Sequence, residues 1–161
     1  MADRIGGVAL VVAACGLLAA PVSAAAVKAP GGGRPPTIAV GDTVQGELEP
    51  GDAGLGDGSR YDCYLISGRP GQLVTISLRS LDFDAYLLAG PGRPDECDTF
   101  PTPFQDDNSG VGPAGSDAQL TLNLDENGGI LVLANSWDPD VFGVYALVVE
   151  PGGPSVLALA P

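Results

Sequence analysis

Asp82 and Asp84 stand two residues apart, and Asp106, Asp107, Asn108 and Asp117 follow in one later stretch. Carboxylates mixed with an amide oxygen suit a hard cation. Calcium takes about six to eight oxygens at about 2.3–2.6 Å from such groups and from backbone carbonyls. Residues two apart on a strand share a face, so Asp82 and Asp84 are expected to project together. Asp106, Asp107, Asn108 and Asp117 would close over them from loops. The spacing is not that of an EF-hand. The plainer reading makes these residues solvated turn formers, bonded to their own backbone. Both readings stand at this level.

Catalysis has little to work with. The chain has no histidine, which removes Ser-His-Asp and Cys-His arrangements and histidine-bound zinc. Asp98-Thr99-Phe100 departs from the Asp-Thr-Gly of an aspartic protease. A hydrolase would have to use paired carboxylates, with Asp82 and Asp84 as acid and base. One of the two would then need a pKa raised by burial. The expectation is a non-catalytic protein, with a small carboxylate-dependent hydrolase as an alternative.

Tyr61, Tyr64, Tyr86, Tyr145 and Trp137 are the aromatic side chains suited to a protein or polysaccharide contact. Most are expected in the core. Trp137, within Ser136-Trp137-Asp138-Pro139-Asp140, has loop-like neighbours and is the expected binding-surface residue.

The elements that must position these residues begin after an export signal. Residues 1–26 read as a secretory signal peptide: one basic residue near the start, an apolar run over 5–18, then Pro21-Val22-Ser23-Ala24-Ala25-Ala26. Gly6, Gly7, Gly16 and Pro21 interrupt the run, and a membrane span needs about 20 continuous apolar residues. The mature chain is therefore expected to hold no span. Two alternatives are an uncleaved anchor and a lipobox at Val12-Ala13-Ala14-Cys15, which would tether an envelope lipoprotein through Cys15. Once residues 1–26 are removed, Cys63 and Cys97 remain. An even pair in an oxidising compartment is expected to form a disulfide.

The formal net charge is −13. It survives removal of residues 1–26, because Asp3 and Arg4 leave together. Such a surface repels phosphate backbones, so nucleic acid is excluded as a partner. Residues 27–36 are a Pro/Gly-rich linker, residues 37–150 the domain, and residues 151–161 a tail.

Within the domain the period is two. Val74, Ile76 and Leu78 oppose Thr75, Ser77 and Arg79, and Leu120, Leu122 and Leu124 alternate with Thr121 and Asn123. Leu81, Phe83, Ala85 and Leu87 alternate with Asp82, Asp84 and Tyr86, which reads as another strand. Asp125-Glu126-Asn127-Gly128-Gly129 is a tight turn. Past residue 36 no useful window shows helical spacing. Seven or eight strands between turns indicate an all-β sandwich or barrel.

Five segments, taken in order, resemble the bacterial pre-peptidase C-terminal domain, which is similar to the collagen-binding domain of bacterial collagenases. They are residues 38–48, with Gly41, Gly46 and Leu48; Tyr61-Asp62-Cys63-Tyr64-Leu65-Ile66 with Pro70-Gly71; and Leu81-Asp82-Phe83-Asp84-Ala85-Tyr86-Leu87. Then come Asp106-Asp107-Asn108-Ser109-Gly110 with Ser116-Asp117, and Gly143-Val144-Tyr145-Ala146-Leu147-Val148-Val149. The resemblance covers about residues 37–150. It implies a jelly-roll-like antiparallel β-sandwich of about eight strands, and a non-catalytic role in secretion, substrate attachment or stability of a partner enzyme. The expectation is a secreted, extracellular or periplasmic module that binds an unidentified protein or polymer, with calcium for rigidity.

Overall fold

The computed structural model describes residues 34–110 and 115–152. The expected signal peptide with Cys15, the linker up to residue 33 and the tail beyond residue 152 lie outside the described residues. Ten strands form: β1 Thr37–Ala39, β2 Thr43–Leu48, β3 Ala53–Gly54, β4 Arg60–Ser67, β5 Leu73–Ser80, β6 Ala85–Gly90, β7 Phe104–Asp106, β8 Ala118–Asn123, β9 Gly129–Ser136 and β10 Gly143–Pro151. No α-helix occurs among the described residues.

The strands make two sheets packed as a sandwich. One runs β1-β4-β9-β6-β7, with β3 also on β4; the other runs β2-β10-β5-β8. Seven longer strands stand where about eight were expected, and three short ones, β1, β3 and β7, pair at the margins of the first sheet and bring the total to ten. The pairing is antiparallel except between β1 and β4, where Thr37–Ala39 lies parallel to residues 65–67. Pro36 already belongs to this sheet, since its carbonyl accepts the Leu65 N–H at 2.9 Å.

Alternation decides which face is buried. Val74, Ile76 and Leu78 of β5 meet Leu147 and Val149 of β10, Leu122 of β8, and Ile130, Val132 and Ala134 of β9 in the main core. Each such aliphatic side chain contributes about 1.5–3 kcal/mol by leaving water. β9 does not alternate because both of its faces are covered. Leu131 and Leu133 join Tyr61, Cys63, Leu88 and Phe100 in a second cluster on the outer face. The Cys63–Cys97 disulfide fastens the covering loop there, with Cα atoms 6.1 Å apart. The Tyr61 hydroxyl also ties that loop down by donating to Asp98.

The stretch 81–87 is a correction. Its alternation suggests a continuous strand, but residues 81–84 form a bend and β6 starts only at Ala85. Buried Ser80 is the cause. Its Oγ accepts the N–H groups of Asp82 and Phe83 at 3.0 and 3.3 Å and donates to the Val144 carbonyl at 2.8 Å. A hydroxyl that offers the backbone such bonds competes with a ladder. Phe83 then turns into the core, edge-on to Tyr145 with ring centroids 6.3 Å apart. Leu81 is left 88% exposed.

Candidate binding face at one end of the sandwich

The register places one set of connections together. Residues 49–59, 81–84 and 137–142 cross between the sheets at the same end, as does the connection from β7 to β8. Here the chain leaves β9 at Ser136. The Trp137 N–H donates to the Asp84 carbonyl at 2.8 Å, and Ser136 Oγ donates to the Asp138 carbonyl at 2.9 Å. Asp140 takes φ +57°, a left-handed conformation that Asp tolerates better than most residues. The resulting tight turn leaves Trp137 51% exposed.

Tyr86 supports the indole from the outer face of the six-stranded sheet. The two rings meet edge to face, with centroids 5.1 Å apart, and the Tyr86 hydroxyl donates to Gln105 Oε1 at 2.6 Å. Tyr86 pairs with Asn135, which pairs in turn with Tyr61. Asn135 is fully buried; its Nδ2 donates to Ser59 Oγ at 3.1 Å, and its Oδ1 has no protein partner.

Carboxylates surround this aromatic pair. Burial pushes the Asp84 carboxyl above its ordinary range, and the nearby charges of Asp107 and Asp138 add to the effect. One Asp84 oxygen, Oδ1, is buried without a hydrogen-bond partner. The Tyr86 hydroxyl is also pushed up, first by burial and then by Asp107 and Asp57. Asp57 itself is held low, because the Ser59 hydroxyl and N–H both donate to its Oδ1, at 2.7 and 2.9 Å.

The six residues expected to hold calcium are dispersed over this end. Asp82 and Asp84 do not share a strand face, because both belong to the bend. Asp82 Oδ2 turns to the four-stranded sheet and accepts the Val144 N–H at 2.9 Å, while Asp84 lies beside Trp137. Asp106 is occupied: the Ser109 N–H and the Gln119 N–H donate to Oδ2 at 3.0 and 2.8 Å, and the Ser109 hydroxyl donates to Oδ1 at 2.5 Å. Burial opposes charge on Asp106, yet these donors outweigh it and hold the carboxyl low. Asp107 faces Asp84, Asn108 is exposed, and Asp117 is buried with its carbonyl accepting the Gly110 N–H at 2.8 Å. Among the described residues, no group of three or more acidic or cysteine side chains is disposed to hold a metal ion.

Sequence reasoning missed Asp62. It is buried inside the sandwich, where the Tyr145 hydroxyl donates to its Oδ2 at 2.5 Å and the Tyr64 and Tyr145 hydroxyls lie 2.6 Å apart. The available signal was an acidic residue on the same strand face as Tyr64 and Ile66.

No family model matches the chain, and no curated protein does. Among solved structures, the pre-peptidase C-terminal domain of collagenase from Bacillus anthracis is similar at 17% identity. The match covers 77% of this chain and 100% of that one, with a TM-score of 0.49. PliG of Aeromonas hydrophila, a periplasmic inhibitor of g-type lysozyme, is similar at 13% identity over 73% of this chain and 98% of that one, with a TM-score of 0.40. The first is the family that the sequence motifs resemble. The likeness is one of fold. Among the described residues no helix is long and apolar enough to cross a membrane.

Proposed function

We propose that the protein is an exported, non-catalytic binding module that presents the Trp137 end of its sandwich to an extracellular protein or polymer. The observation that carries this reading is the half-exposed indole of Trp137, held edge-on by Tyr86 on a rigid sheet end. A large aromatic ring fixed by its neighbours loses little entropy on binding, which is why such rings dominate interface energetics. The Cys63–Cys97 disulfide agrees with an oxidising, extracellular or periplasmic setting.

Calcium belongs to this proposal as a stabiliser of the acidic loops. The raised Asp84 carboxyl beside Asp107 and Asp138 supports it, because a cation there would relieve like-charge repulsion. The ligand set rests on Asp84 and Asp107 rather than on Asp82 and Asp106, whose oxygens serve backbone donors.

The test is capture from native culture medium by immobilised mature protein, compared with Trp137→Ala and with Leu73→Ser. Leu73 is an exposed apolar residue that pairs with Asn123, remote from Trp137. Species retained by the wild type and by Leu73→Ser, but lost with Trp137→Ala, are the expected result. Retention indifferent to Trp137 would remove the face from consideration.

A further inference from the structure

The charge of the Trp137 end identifies the chemistry of its occupant. Residues 49–59 contain three acidic residues. Residues 81–84, residues 137–142, and residues 107–110 taken with 115–117 contain two each, nine in all, while Arg60 and Arg79 stand at the adjoining ends of β4 and β5. The opposite end is less negative: Arg69 and Arg93 stand against six acidic residues in segments 40–42, 68–72, 91–103 and 124–128. The negative end is also where apolar side chains are most exposed, at Leu81, Trp137 and Val144. Carboxylates serving only to keep a surface soluble would not be expected to gather around its exposed apolar groups.

Resting on the binding reading above, we infer that this end docks a basic protein segment, with a Lys or Arg side chain laid on Trp137 between Asp84, Asp107 and Asp138 and an apolar neighbour on Leu81. An indole face attracts a cation through its quadrupole, and arginine stacks on it best. The T-shaped contact directs one ring's edge at the other ring's face, which fixes the indole while leaving half of it accessible. Asp84 and Asp138 flank Trp137 through the backbone bond and the chain itself. Asp107 follows the β7 residue that pairs with Leu87, and so reaches the level of Tyr86. Asp84 is half-buried beside Trp137, and its buried Oδ1 has no donor from the protein, so the negative charge at this position is not neutralised from within.

Trp137 is the sole tryptophan of the chain, so its emission reports directly on the site. The probe is a labelled arginine–leucine peptide, with a counterpart in which citrulline replaces arginine and removes the charge while keeping the shape. The mature, disulfide-intact protein should show saturable quenching with the arginine peptide and about tenfold weaker binding of the citrulline form. Anisotropy of the label should show that combined Asp84→Asn, Asp107→Asn and Asp138→Asn weakens binding about tenfold. Asp125→Asn with Glu126→Gln at the far end should change it less than about twofold. Leu81→Ser alters only an exposed side chain and should weaken binding about threefold without moving the melting point. Equal affinity for the two peptides, or equal loss from both neutralised ends, would overturn the proposal, the latter by showing diffuse attraction. Calcium is proposed for Asp84 and Asp107 as well, so the titrations are run in excess chelator, and millimolar calcium at constant ionic strength should weaken the arginine peptide by competition. Peptide binding unmoved by calcium that stabilises the protein would show that the peptide does not use these carboxylates, and would also overturn the proposal. If Trp137→Ala abolishes native capture while the arginine peptide fails to bind, the binding face stands and the cationic occupant falls.

Discussion

Tyr145 Oη lies 2.5 Å from Asp62 Oδ2, so a hydroxyl carried by one sheet meets a carboxylate buried in the other. Asp62 is 2% exposed, and a buried carboxylate that loses a donor costs more than the bond itself. Gly46, opposite Tyr145 in β2, makes room for the ring: a Cβ there would stand 2.2 Å from Tyr145 Cζ. Tyr145→Phe should therefore lower the unfolding free energy by about 2–3 kcal/mol. Tyr64→Phe should cost about 1 kcal/mol, because Tyr145 keeps its bond to Asp62. Urea midpoints at unchanged m-value measure both. Equal losses would show that the two hydroxyls matter to each other more than either matters to Asp62.

The same burial governs behaviour in alkali. All four tyrosines have hydroxyls held above the ordinary phenol range, with burial the largest cause in each. Below about pH 10, the ordinary phenol value, both folded and unfolded chains keep these protons and stability is complete. Above it the unfolded chain ionises first and binds fewer protons than the native state, so stability falls as pH rises. Phenolate absorbance should therefore appear together with loss of the β-sheet circular dichroism signal, in one cooperative step. Ordinary titration of most tyrosines near pH 10 with the fold intact would contradict the burial assigned to them.

What was legible in the sequence follows from how many faces water touches. β5 reads plainly because Val74, Ile76 and Leu78 are buried while Thr75 and Arg79 meet solvent on the other face. β9 gives no alternation, since the loop carrying Cys97 and Phe100 covers its second face. β1, β3 and β7 are only two or three residues long and owe their existence to pairing partners rather than to pattern. The bend at 81–84 imitates a strand because Phe83 and Ala85 are both buried, and only the reach of Ser80 to Val144 distinguishes the two. The exposure of Trp137 was legible from its loop-like neighbours. Its acidic surroundings were not, because they depend on Asp84 and Asp107 arriving from other segments.

The disulfide closes a loop with a sequence separation of 34 and pins the outer cluster. Chain-entropy arguments put its contribution at about 3–4 kcal/mol. Cys63→Ala with Cys97→Ala should lower stability by that amount and expose Phe100 and Leu131, seen as faster amide exchange in β4 and β9 than in β5 and β10. Thiol titration of the unfolded, unreduced mature protein should find no free thiol. A loss of stability spread evenly over both sheets would argue against a local fastening role.

The Asp84 carboxyl is raised in the folded state by burial and by Asp107 and Asp138. A raised folded pKa means a contribution that is complete below the unfolded carboxyl value, about 4, and is lost as pH rises through the folded value. At neutral pH Asp84 therefore works against stability, and Asp84→Asn should raise the melting point slightly in excess chelator. The gain should vanish near pH 3, where both states carry the proton. Calcium reverses the comparison. An ion selective for the native state adds about 2.7 kcal/mol at a concentration of 100 times Kd, a shift of several degrees for a domain of this size. Wild type in millimolar calcium should then overtake Asp84→Asn, which gains little. Magnesium at matched ionic strength should do less, because it demands stricter octahedral geometry and sheds its waters reluctantly. Melting indifferent to calcium would discard the ion while leaving the Asp84 repulsion in place. Equal gains from both metals would reduce the effect to screening of the loop charges.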